Sequence, residues 1–98
     1  MNKVITYSHQ IFGDFTSQKA IENKTILSAM IEKGTINFSI DCTKVNDVDV
    51  VGINTLAILH KSIRNKTGRM SIQLKKESQL SKMLHLTKFE KILTLIYQ

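Results

Sequence analysis

The chain has 98 residues, 11.2 kDa, one cysteine, no proline and a net charge of +6, which allows one domain and leaves no room for a second independent core. A chain of this size buries roughly 65% of the surface it exposes when unfolded, enough to stand without staples, and a lone cysteine permits no internal disulfide. No window approaches the ~18 consecutive apolar residues of a membrane span and the stretch Met1 to Tyr7 lacks a long apolar signal core, so a soluble, cytoplasmic protein without membrane insertion is expected.

Val4-Ile-Thr-Tyr7 and Gln10-Ile-Phe12 read as two short strands joined by Ser8 and His9, an N-terminal hairpin. Gly13 to Thr16 breaks the pattern. Thr16 or Ser17 can then cap a helix whose apolar stripe is Ala20, Ile21, Ile26, Leu27, Met30 and Ile31, closed by Lys33 and Gly34. From Thr35 to Cys42, Ile36, Phe38, Ile40 and Cys42 alternate with Asn37, Ser39 and Asp41, the period of a strand with one wet face. Cys42 lies in phase with the apolar set, so it reads as a buried small hydrophobe rather than a reactive thiol.

Val45 to Val48 forms a strand-to-helix junction, after which Asp49 is placed to cap a helix from about Val50 to Arg64. Ile53, Leu56, Ala57, Leu59, His60 and Ile63 form its broad inward face. Met70, Ile72 and Leu74 alternate with Ser71, Gln73 and Lys75 in another one-sided strand, and Leu80, Met83 and Leu84 keep helical spacing. Thr87-Lys-Phe-Glu90 has the form of a capping box, and Ile92 to Ile96 reads as helix continuing into a strand. Helices therefore link the later strands, which makes parallel pairing the expectation. The fold class is α/β: a single domain over residues 1–98, with a small mixed, mostly parallel sheet whose half-polar strands imply helices on one face.

Charge is unevenly spread. Residues 1–60 carry five lysines against six acids, whereas residues 61–98 carry nine Lys and Arg against two acids. Lys61, Arg64, Lys66, Arg69, Lys75 and Lys76 gather around one turn, a pattern compatible with nucleic acid or an anionic membrane face. These positions fall at a helix end, in a loop and on outer strand positions, without the interleaved aromatics that stack bases, so a solvated face is the preferred reading and no nucleic-acid partner is expected.

Candidate catalytic groups are sparse. His9, His60 and His85 lie on three elements with no ligand-spaced partner, and no glycine-rich phosphate loop or nucleophile elbow occurs. Asp41, Asp47 and Asp49 admit a paired-carboxylate reading, but Asp49 as a helix cap and Asp47 as a loop or strand-end acid account for them. Neither catalysis nor a cofactor or metal is expected. The informative feature is the helix start itself: Asp49, then Val50 and Val51, then Gly52 and, past Ile53, Asn54. Adjacent helical residues point about 100° apart, so both valines rarely share one buried face, and at least one is expected to meet a partner.

In this order the segments resemble the STAS domain, shared by anti-sigma-factor antagonists and the cytoplasmic tails of sulfate transporters. Ile11-Phe-Gly-Asp-Phe15 looks like the segment before the family's first helix, and Ile36 to Val48 like its central Asp-containing strand and turn. Val48-Asp-Val-Val-Gly-Ile-Asn-Thr-Leu56 is similar to the signature Asp-Ser-Ser/Thr-Gly-Leu, and Met83 to Leu93 to the closing stretch. Members that switch partners carry a phosphorylatable Ser or Thr just after the signature Asp. Here that position is Val50, and Thr55, more than a turn deeper, is a poor substitute; Thr16, Ser17 and Thr43 are the other hydroxyls nearby. The resemblance implies a non-catalytic interaction module that contacts its partner through Asp49, Val50, Val51, Gly52 and Asn54. The implied partner is a serine-kinase-type anti-sigma factor or another switch protein, or alternatively the ATPase of a lipid-transporting ABC system.

Overall fold

A computed structural model of the chain describes residues 5–98. The elements run β1 (Tyr7–Phe15), α1 (Ser17–Glu32), β2 (Asn37–Val48), α2 (Val50–Asn65), β3 (Arg69–Leu74), α3 (Gln79–Leu86), a short 3-10 turn (Phe89–Lys91) and β4 (Thr94–Tyr97). The strands pair in sequence order, β1-β2-β3-β4, and all three pairings are parallel. Parallel neighbours need crossovers, and crossovers of one hand along an unreversed strand order stack every helix on the same face.

The opposite face is polar. Ser8, Ser39, Ser71 and Thr94 align across the four strands, and Gln10, Asp41, Gln73 and Ile96 form the next row. Gln10 Nε2 donates to Asp41 Oδ2 (3.3 Å), Ser39 Oγ to Gln73 Oε1 (3.1 Å) and Gln73 Nε2 to Ser71 Oγ (3.3 Å). The core lies on the helix side, where Phe38, Ile40, Ile72 and Leu74 meet Leu27, Ile53, Leu56, Leu59, Ile63, Leu80 and Leu84.

The N-terminal hairpin does not form. Although Val4 lies outside the described residues, Ser8 and His9 sit inside one continuous strand, opposite Ser39 and Ile40 of β2. A two-residue turn wants Gly, Asn or Asp with positive φ, which Ser8-His9 does not supply, and both residues fit the alternation instead. His9 takes an inward position, its Nε2 2.8 Å from Asn23 Oδ1 on α1.

The strand does not end at Cys42 but continues through Val45 to Val48. Along β1 the pairing advances two residues from Gln10 to Phe12 and from Gly13 to Phe15, while β2 advances three, from Asp41 to Lys44 and from Val45 to Val48. Each extra residue is a bulge that flips the phase of β2, so its buried residues after Cys42 are Val45 and Val48 rather than every second residue. The first bulge is held by Asp41, whose Oδ1 accepts from Thr43 N (2.9 Å) and Thr43 Oγ1 (2.6 Å). These two hydrogen bonds keep the Asp41 carboxyl below its ordinary value.

Three smaller expectations change. On α1, Ala20, Leu27 and Ile31 are buried and Met30 packs beside them, but Ile21 and Ile26 face outward. Thr87 does not open a helix: its Oγ1 donates back to Met83 O (2.8 Å) and Leu84 O (3.3 Å), carbonyls of the last turn of α3. Lys88 then turns left-handed (φ 63°), and Glu90 Oε1 meets His85 Nδ1 at 2.8 Å instead of capping. Finally, β3 separates the basic cluster: Arg69 begins the strand and Lys75 follows its end, roughly 20 Å apart at 3.3 Å per residue.

Candidate functional site

Two helices begin side by side at the C-terminal ends of β1 and β2, and one carboxylate ties them together. Asp49 is the N-cap of α2, with its backbone extended and its Oδ1 accepting from Gly52 N (3.0 Å). Its Oδ2 accepts from both Ser17 N (3.1 Å) and Ser17 Oγ (3.2 Å), at the first residue of α1. Thr16, the N-cap residue of α1, makes no capping bond with its own side chain. Asp49 thus supplies the negative charge that both helix starts lack, since neither has an acid in its first turn. Ser17 sits at φ 33°, a conformation a side chain rarely adopts, and the Asp49 carboxylate fixes it there.

The Gly52 N–H, ahead of the Ser17 N–H and hydroxyl, holds the Asp49 carboxyl below its ordinary 3.8. A depressed folded-state value means stability that is complete above about pH 5 and lost as pH falls through 3.8 toward the folded value. Asp49→Ala is therefore expected to lower the melting temperature at neutral pH. The gap to the native chain should narrow below 3.8, where native Asp49 protonates. Thermal melts across that range check it, and a pH-independent gap would contradict it.

Gly52 is buried, which corrects its expected place on a contact surface. A Cβ there would lie 2.2 Å from the Phe15 carbonyl oxygen, so glycine lets α2 start directly against β1. Ile53 and Thr55 are buried as well, and Val51 is partly buried against the core. Val50 turns outward and is 61% exposed. Asn54, one turn on, is exposed, and so is Ile58 a further turn on at 46%. Val50, Asn54 and Ile58 therefore form an outward row at i, i+4 and i+8.

Of the five expected residues, Val50 and Asn54 are exposed at the helix start, Asp49 and Val51 are partly buried there and Gly52 is buried. Ser17 and Ile58 belong to the same surface but were not singled out for it by the sequence reading. The i+4 spacing from Val50 was enough to find Ile58. Ser17 had no such signal, because its partner is 32 residues away.

Elsewhere the titratable groups stay apart. Among the described residues no three His, Cys, Asp or Glu side chains gather as a metal set. His9 pairs with Asn23 and His85 with Glu90, while Asp41 is occupied by Thr43. Burial first, and the Asp41 charge second, push the Cys42 thiol up to about 12, so it is a packed side chain and not a nucleophile at neutral pH. No helix of the described residues is long and apolar enough to cross a membrane.

Comparison with curated proteins gives no match. Among solved structures, the chain is similar in fold to the anti-sigma factor antagonist SpoIIAA in its unphosphorylated form. The TM-score is 0.77 at 14% identity, over 100% of this chain and 84% of that one. At that identity the likeness speaks for the fold alone. The STAS domain family model matches residues 4–98. The chain belongs to the STAS domain family.

Proposed function

We propose that the chain is a non-catalytic regulatory module of the anti-sigma-factor-antagonist type, which docks a protein partner on the start of α2. The contact residues are Val50, Val51 and Asn54, extended along the helix by Ile58. Asp49 and Gly52 position that helix start. The observation that carries this reading is Val50, a large apolar side chain standing exposed where phosphorylated relatives carry a hydroxyl. A valine this exposed contributes little burial to the fold, and covering it on binding gains on the order of 1 to 2 kcal/mol. In relatives that switch, a phosphate at this position adds about −1.5 to −2 charges and expels the partner. Valine admits no phosphate, so docking here is constitutive with respect to that signal.

The partner implied is a serine-kinase-type anti-sigma factor or another switch protein with an ATPase-like fold. Val50→Ser tests the reading: it is expected to keep the partner captured by the native chain and to gain the mass of one phosphate when that partner and ATP are present. Intact-mass spectrometry reads the modification, and sequencing of the captured protein reads the partner class. Capture of a kinase-type partner by Val50→Ser with no phosphate gained contradicts the reading of this position as the family's switch site. Capture of a transporter ATPase, with no phosphate gained, supports the surface and replaces the regulatory role with one in membrane transport.

A further inference from the structure

The last strand of the sheet is unfinished on its outer side. β4 pairs with β3, and among the described residues no strand pairs with its other edge. Gln98 N donates to Leu74 O of β3 (2.8 Å), so by the alternation of a strand Leu95 and Tyr97 turn their own N–H and C=O groups outward, away from the sheet. Edge strands are commonly guarded by a lysine, a proline or a bulge that stops another strand from adding. Thr94-Leu-Ile-Tyr97 has none of these, its pairing with β3 runs one for one, and its only protection is a length of four residues. It is also apolar on both faces. Ile96 interrupts the polar row of Gln10, Asp41 and Gln73 and is 44% exposed; Tyr97 is in phase with the fully buried Leu74 yet stays 40% exposed. On Tyr97's side of the edge lies an open cleft of about 480 Å³, where Lys76, Lys82 and His85 converge on Tyr97 and Glu90 is the one acid. Glu90 Oε1 is taken by His85 Nδ1 (2.8 Å), while neither lysine has an ion-pair partner among the described residues.

We propose that β4 takes an extended, acidic segment of a partner protein as a fifth strand, its backbone paired with Leu95 and Tyr97 and a carboxylate lodged between Lys76 and Lys82. Strand addition of this kind draws affinity from main-chain hydrogen bonds and specificity from alternate side chains. The two faces of the edge set that alternation. Side chains of the added strand on the cleft side meet the two lysines, so acids belong there, and those on the open side meet Ile96, so apolar residues belong there. Charge decides against a second copy of the chain as the occupant. Residues 75–98 carry five lysines against two acids, and pairing β4 with β4 of another copy brings these like charges together. An acidic segment meets the opposite condition. The edge makes no use of Val50, Asn54 or Ile58, so this inference stands apart from the docking surface on α2.

The test is NMR titration and amide hydrogen exchange of the intact, isotope-labelled chain with an end-capped hexapeptide of alternating glutamate and valine. Saturable binding is expected with a Kd of ~1 mM or tighter. At saturation the Leu95 and Tyr97 amides are expected to exchange about tenfold more slowly or better, while the Ile96 amide, which faces β3, stays as it was. The counterpart peptide with lysine for glutamate is expected to bind about tenfold more weakly, and so is the glutamate peptide to the double variant Lys76→Gln, Lys82→Gln. Both lysines are exposed, so that variant keeps the native melting temperature. Methylation of the peptide's backbone nitrogens, which leaves its charge intact, is expected to abolish binding. Unsaturable shifts at ~1 mM peptide, unchanged exchange at Leu95 and Tyr97, or full binding by the methylated peptide would overturn strand addition. Equal affinity for the two peptides, or native affinity in the double variant, would overturn the acidic partner. Protection of Leu95 and Tyr97 that rises with the concentration of the chain alone would make the occupant a second copy and overturn the proposal.

Discussion

Gly52→Ala is expected to lower the melting temperature by about 12 °C or more. On propensity alone the change should help, since alanine is about 1 kcal/mol better than glycine inside a helix. The local geometry reverses the sign. The added Cβ would sit 2.2 Å from the Phe15 carbonyl oxygen and 2.9 Å from both Phe15 Cδ2 and Val48 Cγ2. The first of these is backbone, in a strand paired to β2, and it cannot swing aside as a flexible side chain does. Overpacking of this kind costs about 1 to 3 kcal/mol and sometimes more, and each kcal/mol moves the melting temperature by roughly 4 to 8 °C in a domain of this size. Moving α2 away from β1 would also part Asp49 from Ser17, so the paired helix starts would loosen together. A thermal melt decides it: a variant as stable as the native chain would mean that α2 does not lie against Phe15 as described.

The helical parts of this fold are legible in the sequence because their signals are local. Asp49 caps α2 as its residue type suggests, and Ile53, Leu56, Leu59 and Ile63 fall on the buried face at helical spacing. The alternation of Phe38, Ile40 and Cys42 reports the inner face of β2 for the same reason. Legibility ends where pairing inserts residues. Cys42, Val45 and Val48 are three apart because β2 bulges twice against β1, and no period-2 pattern survives that. The false hairpin at Ser8 and His9 and the false capping box at Thr87 share another cause: each motif is real in composition, but tertiary partners, β2 in one case and the end of α3 in the other, claim the groups first. At the site, Val50 was readable as an oddity of residue type. The bond from Ser17 to Asp49 was not, since it depends on two helix starts meeting across adjacent strands.

The α2 surface also explains why the site tolerates Val50. Aspartate, serine or valine at the first position of a capped helix leaves the core untouched, since the side chain points to solvent. Substitution there separates binding from folding, which substitutions at the buried Gly52, Ile53 or Thr55 cannot do. An acid at a helix start is moreover favourable to the helix by a few tenths of a kcal/mol. Val50→Asp should therefore fold as well as the native chain while placing an unpaired charge in the centre of the proposed docking surface. Burying such a charge without a partner, on top of losing the valine contact, is expected to weaken docking by at least about 3 kcal/mol, or roughly a hundredfold in affinity.

The most direct measurement is capture of the native chain's principal partner by Val50→Asp and by the native chain, side by side, with melting temperatures recorded for both. Loss of capture by Val50→Asp at an unchanged melting temperature is the expected result. Equal capture by the two proteins would contradict it and move the partner surface away from the start of α2.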